Sequence, residues 1–266
     1  MYREFYESLL NQVGGSWFDF EGLIRDIYVA LLRPGDVCVD AGANRGDHTF
    51  QMAQAVAPNG RVIAIEAAPP LVDEISKLGR KGYPRLWPLI DLYGVGLSDH
   101  PGRATFFFAA ETPGLSGLRN RPAIVPGPVT EFQVNLLPLD EIRKTVARPI
   151  RFMKVDLEGG EYDALRGAQS VLREDRPVLV FEHDAESPHH FSYTIHDLVQ
   201  LFRSLHYGLF DFFGNSYNEP AAWRETVVWN FLALPDDYPQ SKDIFKVVRN
   251  TLTRIGVQCD VPGTPQ

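Results

Sequence analysis

Five short apolar runs in this chain lead to an acidic residue: residues 37–39 before Asp40, 61–65 before Glu66, 92–97 before Asp99, 152–155 before Asp156 and 178–181 before Glu182. Each run has the length of a strand, and helical patterns lie between most of them. Residues 49–57 carry Phe50, Met52, Ala53 and Val56 at helix spacing, and further helices are predicted over 70–78, 161–173 and 195–205. Strands alternating with helices predict an α/β fold: a mostly parallel sheet with helices on both faces. In such a sheet ligands bind outside the carboxyl ends of the strands, which is where these acids stand.

The alternation breaks between residues 104 and 137. Two strand-like runs there, ATFFF and TEFQVNLL, flank the Pro/Gly-rich stretch ETPGLSGLRNRPAIVPGPV. A connection of that length in a compact domain suggests a lid. Near the end, runs at 207–212 and 227–234 have no helix between them and predict an antiparallel hairpin at the sheet edge. Residues 1–33 read as helical until Arg33-Pro34-Gly35-Asp36 breaks the pattern, and 242–257 predict a last helix. The expected organisation is a helical cap over 1–36, a main domain over 37–240 with its insertion around 104–137, and a helical tail over 241–266.

Charge narrows the partners. Lys and Arg number 26 against 34 Asp and Glu, a net charge of −8, whereas nucleic-acid binders usually present a basic field. A small-molecule or carbohydrate acceptor fits better than nucleic acid. No apolar run has membrane-spanning length, and the first ten residues carry Glu4 and Glu7 in place of a leader's apolar core. Cys38 and Cys259 are read as two reduced thiols, which suggests a cytoplasmic setting. Oligomerisation stays open.

The first turn after a strand reads Asp40-Ala41-Gly42-Ala43-Asn44-Arg45-Gly46. Its glycines permit a tight turn and close approach of a ligand, and the helix that follows offers free N–H groups. Glu66, at the end of the next strand, can accept hydrogen bonds from both hydroxyls of a ribose. Asn44 stands where a G-x-G-x-x-G fingerprint would need another residue, so a nicotinamide site fits poorly. Asp40 suits S-adenosylmethionine, whose ammonium needs a counter-charge.

The second cluster is FMKVDLEGGEYDALRGAQSVLREDRPVLVFEHD, over residues 152–184, with Asp156, Glu158 and Glu161 crowding a helix start. Together with VCVDAGANRG, IEAAPP, GLSD and LPLDEI, in that order, it resembles the FkbM family of methyltransferases. The resemblance spans roughly residues 37–184; Gly94 stands where the family often has Asn. It implies a Rossmann-like class I methyltransferase sheet with a final antiparallel strand. It also implies S-adenosylmethionine-dependent methylation of a hydroxyl on a sugar or natural product. The cofactor positions carried over are Asp40, Gly42, Asn44, Gly46 and Glu66, with Ser98 and Asp99 at the adenine end.

An alcohol is a weak nucleophile, so a general base is expected, and Asp156, Glu158 and His183 are the candidates. Asp156, Glu182, His183 and Asp184 could also gather a divalent metal, but their spacing matches no ligand motif and none is expected. In the lid, Ser116 and Arg119 are candidate acceptor contacts, with Arg121 nearby; the run 106–108 reads as core. Two other functions fit the same fold: a non-catalytic S-adenosylmethionine-binding scaffold and a nicotinamide-dependent oxidoreductase. Methylation of nitrogen is disfavoured, because no Asn-Pro-Pro-Tyr or Asp-Pro-Pro-Tyr follows the strand ending at Asp156.

Overall fold

The connections along the chain dictate where its ligand crevice lies. β1 (Val37–Ala41), α2 (Asp47–Val56), β2 (Arg61–Ile65), α3 (Pro69–Gly82) and β3 (Ile90–Tyr93) follow one another, and the three strands pair in parallel. β7 (Ile150–Val155) then pairs parallel to the free side of β1, and α5 (Glu161–Arg166) leads to β8 (Val178–Glu182), parallel to β7. The chain therefore winds away from β1 in both directions. Right-handed crossovers put the helices of the two halves on opposite faces, and the crevice opens between the ends of β1 and β7. The computed structural model describes residues 7–8, 11, 19–183, 192–226, 228–238 and 241–254.

α6 (Ile195–Ser204) leads to β9 (Tyr207–Asp211), and β10 (Asn230–Pro235) inserts antiparallel between β8 and β9. The seven-stranded order is β3-β2-β1-β7-β8-β10-β9, a mostly parallel sheet with the antiparallel pair at one edge. This is the Rossmann-like class I methyltransferase architecture that the sequence suggests. Every residue of β1 is buried, as the continuous apolar character of a central parallel strand requires.

The third run departs from expectation. Residues 92–97 were expected to form one strand. The chain instead leaves the main sheet after Tyr93, and Gly96 and Leu97 form β4 in a second sheet. That sheet has the order β4-β6-β5, with β5 at Gly102–Phe108 and β6 at Thr130–Leu137. Gly96 makes the exchange possible: a Cβ there would lie 2.8 Å from the Leu136 side chain on β6. Phe106 and Phe108 pack with Ala68, Leu71 and Val134 in a small core of their own, so the aromatic run is packing as expected.

The helix expected over 161–173 stops at Arg166. Gly167 lies against Ser98, whose carbonyl a Cβ would strike. Asp140, in α4 (Leu139–Arg143), then accepts from the Ser170 and Val171 N–H groups, both at 3.0 Å, and caps the next turn.

α1 (Phe20–Leu31) begins at Asp19, whose side chain accepts from the Gly22 N–H at 2.8 Å. Asp26 on α1 accepts from Thr251 and pairs with Arg254, both at 2.7 Å, on α7 (Ser241–Arg254). The two ends of the described chain thus meet on one side of the sheet. Residues 12–18, Asp184, His189, His190 and Cys259 lie outside the described residues. No helix among those described is long and apolar enough to cross a membrane.

Candidate functional site

The turn after β1 is held from three sides. Gly42 has φ +84, and a Cβ there would collide with the Asp156 carbonyl, so only glycine lets the two strand ends sit this close. Asn44 also occupies the left-handed region, at φ +49, and its N–H donates to Glu66 Oε2 at 2.8 Å. Glu66 Oε1 accepts from the Ala68 N–H, again at 2.8 Å. Each carboxylate oxygen is thereby fixed by one backbone donor and keeps lone pairs for a ligand. Burial pushes the Glu66 carboxyl up to about 7 despite these two donors.

Asp40 lies beneath the turn and does not line the cleft. One of its oxygens accepts from Thr49 Oγ1 at 2.5 Å, and the other is buried with no hydrogen-bond partner. Burial raises its carboxyl, and Lys154, beside it in register on β7, opposes that rise. A buried lysine is thus the counter-charge that Asp40 faces.

Lys154 also serves Asp156. Two residues apart in a strand, they share a face, and their ion pair is 2.8 Å long. The lysine side chain is 5% exposed and the aspartate 30%. Burial works against the ammonium, but Asp156 and Asp40 outweigh it and hold Lys154 charged. Burial likewise pushes Asp156 up, and Lys154 outweighs it, keeping the carboxylate below its usual range. Glu182, at the end of β8, goes the other way: burial, and then Asp156, raise its carboxyl far above normal. Unequal environments therefore leave one carboxylate ionised and its neighbour protonated.

Glu158 completes this cluster. Oxygens of Asp156, Glu158 and Glu182 lie within 4.8 Å of one another. Glu158 has φ +54, and the turn that carries it is tied by Glu161 Oε1, which accepts from Leu157 N–H at 2.7 Å and Gly159 N–H at 3.1 Å. Burial lifts the Glu161 carboxyl to about 8. Across the cleft, Arg121 Nη2 donates to Glu158 Oε2 at 2.6 Å and to the Leu115 carbonyl at 3.2 Å. Arg121 is 4% exposed, so the insertion is pinned to the end of β7 by a buried ion pair.

These groups border an open cleft. Gly42, Asn44 and Glu66 line it together with the apolar Leu71, Val95 and Leu97 and with Asp156 and Glu158. Pro113, Gly114, Ser116 and Leu118 of the insertion complete the lining.

Residues 40–209 match the family model described as the methyltransferase FkbM domain. The chain belongs to the FkbM methyltransferase family. The match runs from the end of β1 to β9 and so contains every group of the cleft. It sets the chain in a methyltransferase family and lends no support to the nicotinamide alternative. A protein-L-isoaspartate O-methyltransferase of Methanopyrus kandleri is 36% identical over 75 residues, which is 28% of this chain and 32% of that protein. Among solved structures, a methyltransferase FkbM from Methylobacillus flagellatus KT aligns with a TM-score of 0.48 at 21% identity. The alignment covers 78% of this chain and 47% of that one. A putative methyltransferase from Streptococcus mutans, solved in complex with S-adenosylhomocysteine, aligns with a TM-score of 0.45 at 11% identity, covering 82% and 97% of the two chains. The chain thus spans about a third of that curated relative and about half of that FkbM structure.

Within this FkbM site, the predicted residues divide. Gly42, Asn44, Glu66, Ser116, Asp156 and Glu158 line one cleft. Gly46 supports it from outside, as the left-handed residue that starts α2. Ser98 and Asp99 follow β4 and do not line it: Asp99 pairs with Arg166 at 2.8 Å and contacts His100. His183 is buried away from the cleft, with Nδ1 3.2 Å from the Tyr193 hydroxyl and its ring edge-on to Trp223. It packs against Tyr193 and Trp223 and is absent from the lining of this cleft. Arg119 is exposed, and Arg121 takes the position in the site. Sequence alone does not single out Lys154, whereas it shows Glu161 as a helix-start acid and Glu182 as a strand-end acid and candidate metal ligand beside Asp156. Lys154 had a signal, since a lysine inside an apolar strand must find a buried acid.

Proposed function

We propose that this chain is an S-adenosylmethionine-dependent O-methyltransferase acting on a hydroxyl of a sugar or natural product. The donor set of the cleft suits the cofactor. Glu66 offers both carboxylate oxygens to ribose hydroxyls, and the apolar lining at Leu71, Val95 and Leu97 suits a purine ring. Asn44 Oδ1, buried without a partner, offers an acceptor to a hydroxyl or ammonium. When bound, the cofactor supplies an electrophilic methyl group on sulfonium sulfur.

One observation carries the choice of oxygen: the Asp156 carboxylate, paired with Lys154 at 2.8 Å, lines the same cleft as Glu66. An alcohol becomes strongly acidic only as its oxygen gains the methyl group. A carboxylate of depressed basicity, positioned at that oxygen, suffices to take the proton. Asp156 accepts it, Lys154 holds Asp156 in place, and Glu182 donates a hydrogen bond to Asp156.

The test is a transfer screen with methyl-labelled cofactor against sugars, nucleotide sugars and hydroxylated natural products, with the new bond assigned by NMR. Methylation of nitrogen or carbon would overturn the proposal, and cofactor binding with no transfer would favour the scaffold alternative.

Glu66 predicts a pH profile. Its carboxyl titrates near 7 in the ligand-free protein, and ribose hydroxyls donate to the ionised form. Affinity for S-adenosylhomocysteine should therefore weaken below pH 7, by up to about tenfold per pH unit, and level off above it. Calorimetric titration from acid to alkaline pH checks this, and Glu66→Gln should bind weakly with a flat profile.

Chelation should leave turnover intact. Lys154 already neutralises Asp156 and Arg121 neutralises Glu158, so a cation at the carboxylate cluster would add charge to a balanced site. Turnover that vanishes in chelator and returns with magnesium or manganese would refute this.

A further inference from the structure

Three clefts meet at Asp156. The first is the apolar one that holds Glu66, and the insertion closes it. The sequence suggests that this insertion reads the acceptor, but Pro113, Gly114 and Ser116 line the cleft that holds Glu66 and suits adenosine. The second is polar and runs along the outside of the Gly42 turn past Arg25, His48 and Lys154. The third opens between the start of α1 and the ends of β8 and β10, with Asp19, Glu21, Asp156, Glu182, Trp229 and Asn230 around it.

We propose that this third cleft binds the acceptor, and that the acceptor is an uncharged polyol such as a glycoside ring. The proposal rests on the hydroxyl methylation proposed above. Position is the first reason. The cleft shares Asp156, the carboxylate assigned to proton removal, with the apolar cleft, so a hydroxyl held in it stands at the same group that the cofactor cleft reaches. Its chemistry is the second. Carboxylates and an amide pair with hydroxyls, while the half-buried Trp229 offers an apolar ring to the C–H face of a sugar. Charge is the third. Among the described residues, four carboxyl groups line the cleft and no basic side chain does, so a phosphorylated or nucleotide-linked sugar meets repulsion.

The wall is also fixed in place. His48 contacts Glu21 through Nε2, and its Nδ1 lies 3.2 Å from the Tyr28 hydroxyl, so α1 is locked to the helix that follows the Gly42 turn. A preformed wall lowers the ordering cost of binding.

The experiment uses the full chain saturated with S-adenosylhomocysteine and 15N-labelled at tryptophan. Methyl α-D-glucopyranoside, methyl α-D-mannopyranoside and UDP-glucose are titrated in turn, and the Trp229 indole signal is identified by its loss in Trp229→Phe. At least one neutral glycoside should shift that signal saturably, and UDP-glucose should not. Glu21→Gln should weaken glycoside binding about tenfold while S-adenosylhomocysteine affinity stays within about twofold. If neither glycoside moves the signal, or UDP-glucose moves it at lower concentration, the proposal falls. A glycoside that binds at Trp229 but never receives a methyl group would sink the hydroxyl methylation and leave the ligand class of the cleft standing. Hydroxyl methylation with the Trp229 signal unmoved would do the reverse.

Discussion

Replacing Asp156 by Asn should lower turnover by about 10²–10⁴-fold, the usual contribution of a positioned proton acceptor, while S-adenosylhomocysteine still binds. The amide preserves shape and can still accept a hydrogen bond from Lys154, but it cannot take a proton. The same change leaves the buried Lys154 short of its closest carboxylate. Breaking a buried pair costs up to roughly 3–5 kcal/mol, and the loss here should be smaller because Asp40 stays beside the lysine. Thermal melting recorded with the kinetics separates the two effects. A folded Asp156→Asn protein with near-normal turnover would remove Asp156 from the chemistry.

Gly42→Ala should have the largest effect on the fold of the site. The residue adopts φ +84, and the added methyl would run into the Asp156 carbonyl. Left-handed strain costs of order 1–3 kcal/mol and overpacking another 1–3, so a loss of about 3 kcal/mol or more is expected. Relief requires the ends of β1 and β7 to separate, and that movement displaces Asn44 and Asp156 together. Cofactor binding and turnover should therefore both collapse, in contrast to the selective defect of Asp156→Asn. Calorimetric titration of S-adenosylhomocysteine and a melting curve test this; an alanine variant that binds normally would mean the strand ends are not held this close.

The contrast between these variants follows from what local pattern can and cannot carry. The sheet was legible because buried parallel strands leave continuous apolar runs, and the runs before Asp40, Glu66, Asp156 and Glu182 all became strands of the main sheet. Glu66 and the Gly42 turn were legible for the same reason: their roles follow from standing at a strand end. The third run misled, because 92–97 looks like one strand by composition while the chain leaves the main sheet after Tyr93 and Gly96 fits it closely against Leu136 of the second. The run 161–173 misled likewise, since its apolar spacing persists through a helix that Gly167 breaks against Ser98.

Side-chain partnership was the part that no local pattern carried. His183, at a strand end beside Glu182, points to a base on sequence grounds, and only the packing of Tyr193 and Trp223 shows it enclosed. Arg119 and Arg121 are equivalent in sequence. Tertiary structure distinguishes them, because Arg121 alone of the two is buried against Glu158, 37 residues away.

The sequence by itself determined the fold, the family and the turn that the cleft is built on, since each rests on periodicity or on residues adjacent along the chain. Only the tertiary structure decided which carboxyl is pushed up and which is held down, and that the start of α1 stands beside Asp156. Both depend on desolvation and charge at distances set by elements far apart in sequence: Lys154 holds Asp156 charged, Asp156 and burial keep Glu182 protonated, and His48 fastens α1 beside them.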